Sequence, residues 1–137
     1  MFLIDTSVWI DYFREKNNAA VEYFSELLDE ETPFGITGII YQELLQGAAS
    51  QSDFTHLVNY LGTQRFYHLN DNVTSYQEAA KIYFNCRRKG ISIRSTLDCL
   101  IAQIAIENDL ILLHNDEDYN RISSIVSGLK LFKKTVA

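Results

Sequence analysis

Leu110-Ile111-Leu112-Leu113-His114-Asn115-Asp116 is an unbroken apolar run that turns abruptly polar. Such a run, without the alternation of a half-exposed strand, is the pattern of a strand buried on both faces of a parallel sheet. Phe2-Leu3-Ile4 ahead of Asp5 repeats the pattern at the start of the chain, and Phe34-Gly35-Ile36-Thr37 repeats it after Pro33. Helical periodicity fills the intervals: from about Ser7, over Ala20 to Leu28, and over Ile39 to Gln46, where Gly47 stops it. Further helices are expected at about Asp53 to Leu61, Val73 to Lys89, Ser95 to Asn108 and Asp118 to Val126, with strands at Arg65 to Leu69 and Leu129 to Phe132. Strands alternating with helices predict an α/β fold, a three-layer sandwich around a central, mainly parallel sheet.

The chain has 137 residues, 47% of them hydrophobic, with no repeat or low-complexity segment, so residues 1–137 are expected to form one domain. Its longest nearly apolar stretch, Cys99 to Ile106, is broken by Gln103 and falls short of the roughly 20 residues of a membrane span. The N-terminus has no basic segment of the secretory kind, and a cytoplasmic location is expected. Cys86 and Cys99 are too few for a disulfide framework, and His56, His68 and His114 have no ligand spacing with them, so both cysteines are expected to be small core residues.

The net charge of −6 argues against a nucleic-acid partner, since phosphates are normally met by a basic surface. The objection weakens if acids are gathered to hold metal. Two divalent cations would bring the balance from −6 to −2 and would themselves face the phosphates.

Four acids stand where patterning turns them inward. Asp5 and Asp116 follow the C-terminal ends of two apolar strands, where open parallel sheets place their ligand crevices. Glu43 falls on the stripe of Ile39 and Ile40, and Asp98 begins the stripe of Ile101, Ala102 and Ala105. Gathered carboxylates repel one another unless a cation intervenes. Oxygen-only donors favour Mg2+ or Mn2+ over zinc, and such an ion can activate water for attack on a phosphodiester. Each acid also has an ordinary explanation. Asp5 and Asp116 suit helix N-caps, Ser95-x-x-Asp98 suits a capping box, and Glu43 suits a half-solvated helix edge.

Met1-Phe2-Leu3-Ile4-Asp5-Thr6-Ser7, Glu43 in Tyr41-Gln42-Glu43-Leu44-Leu45, Asp98-Cys99-Leu100-Ile101-Ala102 and Leu112-Leu113-His114-Asn115-Asp116-Glu117-Asp118 come in an order and spacing that resemble a PIN domain of the VapC toxin type. The resemblance spans the whole chain. It implies a metal-dependent endoribonuclease that cuts RNA to leave a 5′-phosphate, with Asp5, Glu43, Asp98 and Asp116 as catalytic metal ligands. Asp5 and Asp98 would lead, supported by Thr6 and Ser7. It also implies a small antitoxin laid across a groove near the acids, and a homodimer. His114 stands where the family often has Thr or Ser, and packing or local hydrogen bonding is expected of it. Asp118, two residues beyond Asp116, is an alternative fourth acid and a supporting site residue; Asp116 ranks first because it is nearer the strand end, and Asp118 is expected to cap the following helix.

Arg87, Arg88, Lys89 and Arg94 form the densest basic cluster, available to RNA phosphates, although the first three also suit the C-terminal end of a helix. Trp9 and Phe13, one helical turn apart, are expected in the core or an interface. Tyr23, Phe24, Leu27 and Leu28 are candidates for the antitoxin groove or for ordinary core. Rival functions are a phosphomonoesterase using Asp5 as nucleophile, which Ser7 disfavours because a second Asp usually stands there, and a non-catalytic PIN-like binding module.

Overall fold

The computed structural model describes residues 1–133. The apolar start forms β1 (Phe2–Ile4), in which Leu3 and Ile4 are fully buried. Asp5 ends the strand and begins α1 (Thr6–Phe13), its carboxylate accepting from the Ser7 amide. Asn18 caps α2 (Ala19–Asp29) in the same way through Val21. β2 (Phe34–Thr37) passes straight into α3 (Gly38–Gln46), because the Thr37 hydroxyl accepts from the Ile40 amide. There follow α4 (Gln51–Leu61), β3 (Arg65–Tyr67), α5 (Thr74–Arg88), α6 (Thr96–Glu107), β4 (Ile111–Leu113), α7 (Glu117–Ile125) and β5 (Lys130–Leu131).

β3 stops two residues before Leu69, where the His68 carbonyl accepts from the Asn108 side chain. One expectation is corrected: α7 is capped by Asp116, which accepts from the Asp118 amide, and not by Asp118. A single polar residue placed directly at the helix entry suffices for the cap, and Asp118 is already inside the first turn.

The strands are ordered β3-β2-β1-β4-β5 and every pairing is parallel. Gly35 runs between β1 and β3, opposite Leu3 and Arg65. A Cβ there would lie 2.5 Å from the Tyr67 ring and 2.6 Å from the Arg65 carbonyl oxygen, so only glycine fits. The helices pack in two groups: α1 on α2 and α3, with α3 on α4, and α5 on α6 and α7, with α6 on α7. Right-handed crossovers on this strand order put the first group on one face of the sheet and the second on the other. The three layers expected from the sequence are present.

Trp9 and Phe24 fill one side, their rings 4.8 Å apart, and Ile101, Ala102, Tyr119 and Ile122 belong to the same buried cluster. Fully burying a side chain such as Leu112 contributes about 1.5–3 kcal/mol. The apolar face of α2 is core as well. Phe24 and Leu27 are buried, and the half-buried Tyr23 stacks on Phe132 at 4.0 Å, which is the ordinary core packing that is one of the two readings of this face.

The chain leaves β1 toward β2 on one side and leaves β4 toward β5 on the other. Adjacent strands whose connections diverge open a crevice at their C-terminal ends. Leu113 of β4 pairs with Ile4 of β1, and the Asp5 amide donates to the Leu113 carbonyl at 3.0 Å, so the residues after both strands meet at that rim.

Candidate metal centre

Asp5 is only 4% exposed, and its orientation is set by its neighbours. Its Oδ2 accepts from the Ser7 amide at 3.1 Å and the Ser7 hydroxyl at 2.6 Å, while its Oδ1 accepts from the Tyr119 hydroxyl at 2.8 Å. Glu43 is half-buried on α3, and its Oε1 accepts from the Thr6 hydroxyl at 2.9 Å. Asp98 lies in the first turn of α6, 3.4 Å from the same Tyr119 hydroxyl. Ser95, accepting from the Leu97 amide, supplies the cap of that helix and leaves the Asp98 carboxylate for the crevice. Asp116 caps α7, its carboxylate accepting from the Asp118 amide and from Arg94, and an oxygen of it lies within 4.8 Å of oxygens of Asp98 and Asp118.

The charges converge. Burial, then Asp116, Asp5, Asp118 and Glu43 in that order, push the Asp98 carboxyl up to about 7. Glu43 is raised mainly by burial, with the Thr6 hydroxyl opposing and Asp5 adding. Burial, Asp5 and Asp98 raise the Tyr119 phenol well above its ordinary value, which keeps it a neutral donor. His114 packs and bonds locally, as expected: its Nδ1 accepts from the Asp116 amide at 3.1 Å and its ring lies 5.2 Å from that of Tyr119. Burial lowers its pKa despite Asp5 and Asp116.

Asp118 is fully buried between two arginines. Its Oδ1 accepts from Arg121 at 2.6 Å, and its Oδ2 from the Arg94 amide at 3.1 Å and the Arg94 Nε at 3.2 Å. Burial alone would raise its carboxyl, but these bonds together bring it below its ordinary value. Arg94 extends a further bond to Asp116 at 3.0 Å and so lies beside the acids. Arg87 and Arg88 instead lie over the Tyr83 and Phe84 rings at 5.6 to 6.0 Å, and Lys89 ends α5.

Oxygens of Asp98, Asp116 and Asp118 lie within 4.8 Å of one another. A set of carboxylate donors fits a hard divalent cation such as Mg2+ or Mn2+. Soft ligation is absent at the cysteines, since both are buried in the core and burial pushes the Cys99 thiol up to about 12. Beside Glu43 a groove between α1, α3 and α4 is lined by Ile10, Phe13, Leu44, His56 and Leu57. Phe13, 41% exposed, contributes there, while its neighbour Trp9 is core.

The PIN domain family model matches residues 2–125. The chain belongs to the PIN domain family. A VapC ribonuclease of Mycobacterium bovis and ribonuclease VapC11 of Mycobacterium tuberculosis are each 37% identical to it over 131 residues, 93% of this chain and 95% of theirs. Among solved structures, VapBC2 from Rickettsia felis bound to a DNA fragment from its promoter has a TM-score of 0.71 at 18% identity, covering 96% of both chains. VapBC-1 from nontypeable Haemophilus influenzae has a TM-score of 0.69 at 22% identity, again over 96% of both. These two likenesses concern the fold of the PIN domain. Within this PIN domain, the residue that sequence reasoning missed is Tyr119. A tyrosine on the buried face of a short helix reads as core, and its hydroxyl acquires meaning only from an acid 114 positions away.

Proposed function

We propose that this chain is a metal-dependent endoribonuclease, the toxin of a toxin–antitoxin pair, acting in the cytoplasm as a single PIN nuclease domain. The observation that carries the reading is geometric: oxygens of Asp98, Asp116 and Asp118 lie within 4.8 Å of one another, the Tyr119 hydroxyl lies between Asp5 and Asp98, and Asp116, Asp5, Asp118 and Glu43 all penalise the charge of Asp98. The relatives named as VapC ribonucleases support the activity. Bound Mg2+ or Mn2+ would supply acidification of the attacking water and charge for the leaving oxygen. Asp5 and Asp98 would hold the ion, with Glu43 and Asp116 completing the set. Thr6 and Ser7 orient Glu43 and Asp5 by hydrogen bonds. Asp118 holds Arg94 beside Asp116, where its guanidinium, with 72% of the side chain exposed, is available to an RNA phosphate. An antitoxin segment would lie in the apolar groove of Ile10, Phe13, Leu44 and Leu57, next to Glu43.

Purified protein should cut RNA internally when Mg2+ or Mn2+ is added, stop on chelation, and lose activity as Asp5→Asn or Asp98→Asn. Full activity in both variants would refute the assignment. Sequencing the fragment ends would identify the bases cut and test for the 5′-phosphate.

A further inference from the structure

We propose that Tyr119 is a positioning residue that restricts Asp5 to one-oxygen coordination and thereby tunes the centre toward Mg2+ and against the larger Ca2+. The inference rests on reading the acids as a divalent-cation site. A carboxylate offers about four lone-pair positions. Three hydrogen bonds reach Asp5: the Ser7 amide and hydroxyl both fall on Oδ2, and the Tyr119 hydroxyl falls on Oδ1. Oδ2 is saturated. The position left over is on Oδ1, the oxygen joined through the Tyr119 hydroxyl to Asp98.

The phenol is there for its hydroxyl. Tyr119 is fully buried, and phenylalanine would fill the same volume without burying a polar atom. That atom has two neighbours in the structure, Asp5 and Asp98, which come from opposite ends of the chain. The single phenolic proton goes to Asp5 at 2.8 Å, with Asp98 3.4 Å from the same oxygen, so a neutral group stands between the two acids and leaves each a lone pair to turn outward. The consequence is selective. Mg2+ demands near-octahedral geometry from single oxygens, whereas Ca2+ takes six to eight oxygens and readily accepts both from one carboxylate. An Asp5 pinned at three positions suits the first ion and denies the second its bidentate mode.

The test is calorimetric titration of the full chain with MgCl2 and, separately, CaCl2, with near-ultraviolet circular dichroism as the check on folding. Tyr119→Phe is expected to weaken Mg2+ binding roughly 10-fold, within the range that losing an outer-shell partner costs, and to leave Ca2+ binding unchanged or tighter. Equal losses for both ions, or no change in either, would overturn the proposal. Should Tyr119→Phe not fold, Ser7→Ala decides: removing the hydroxyl opens one of the two filled positions on Oδ2, the Ser7 amide keeping the other, and should move the Mg2+ to Ca2+ affinity ratio the same way, and an unmoved ratio overturns the proposal. If the wild-type protein binds neither ion, the metal-centre reading itself falls and this one with it. If the wild type binds Mg2+ and only the ratio stays fixed, the metal centre stands and the role of Tyr119 does not.

Discussion

Asp98 is a carboxyl that keeps its proton near neutrality because burial and four neighbouring acids penalise its charge. Its folded pKa of about 7 lies above the ordinary 3.8, so the folded metal-free protein binds the proton more tightly than the unfolded chain does. The stabilisation from this group is therefore complete below pH 3.8 and is lost as the pH rises through about 7. A metal bound as proposed would have to displace that proton. Mg2+ affinity should rise with pH up to about 7 and then level off, which titrations at pH 5.5, 6.5 and 8 can check. Asp98→Asn should flatten the profile, weaken binding by more than the roughly 100-fold upper range for an outer-shell loss, and raise the melting temperature of the metal-free protein at pH 8. Thr6→Ala, which only frees Glu43, should weaken Mg2+ binding about 10-fold with the melting temperature nearly unchanged.

At the scale of elements, three helices direct their N-termini at the acids: Asp5 caps α1, Asp116 caps α7 and Asp98 sits in the first turn of α6. Each such end carries partial positive charge worth about 0.3–1 kcal/mol to a nearby anion, which offsets part of the repulsion. This explains why the sequence showed both readings of these residues at once. A cap and a ligand at a strand–helix junction have the same residue type and the same position, so the placement of Asp5 and Asp116 at one rim was legible from strand ends alone. The misassigned cap at Asp118 has the opposite cause. Its role depends on Arg94 and Arg121 closing over it, and no local pattern announces a contact 24 residues away. The strands were legible in the same local way, and Gly35 shows where local pattern ended. Its need for hydrogen in place of a side chain comes from Tyr67 and Arg65 in the neighbouring strand. Gly35→Ala should destabilise the protein by about 1–3 kcal/mol through overpacking, measurable by urea unfolding.

For the whole molecule, a net charge of −6, with Asp5, Glu43, Asp98 and Asp116 sharing one crevice, makes stability depend on what fills that crevice. A cation that binds only the folded state adds about 2.7 kcal/mol at a concentration 100 times its dissociation constant. Millimolar Mg2+ should therefore raise the melting temperature by several degrees over protein in a chelator, and Asp5→Asn should abolish the gain. Loss of the gain in Arg94→Ala would contradict the assignment of that arginine to the phosphate side of the crevice. The overall topology was legible because the apolar runs are short, uninterrupted and separated by helical periods. The burial of the α2 stripe was not, because an apolar stripe looks the same whether it faces core or solvent, and only packing against Phe132 and Trp9 assigns it.

The seam between β1 and β4 divides the ligand set by time of synthesis as well as by position. Asp5 and Glu43 are made early, whereas Asp98 and Asp116 stand at the entries to α6 and α7, in the last third of the chain. A chain cut short before α6 would carry two of the four acids, Asp5 and Glu43, and would lack the two at the entries to α6 and α7 that complete the crevice.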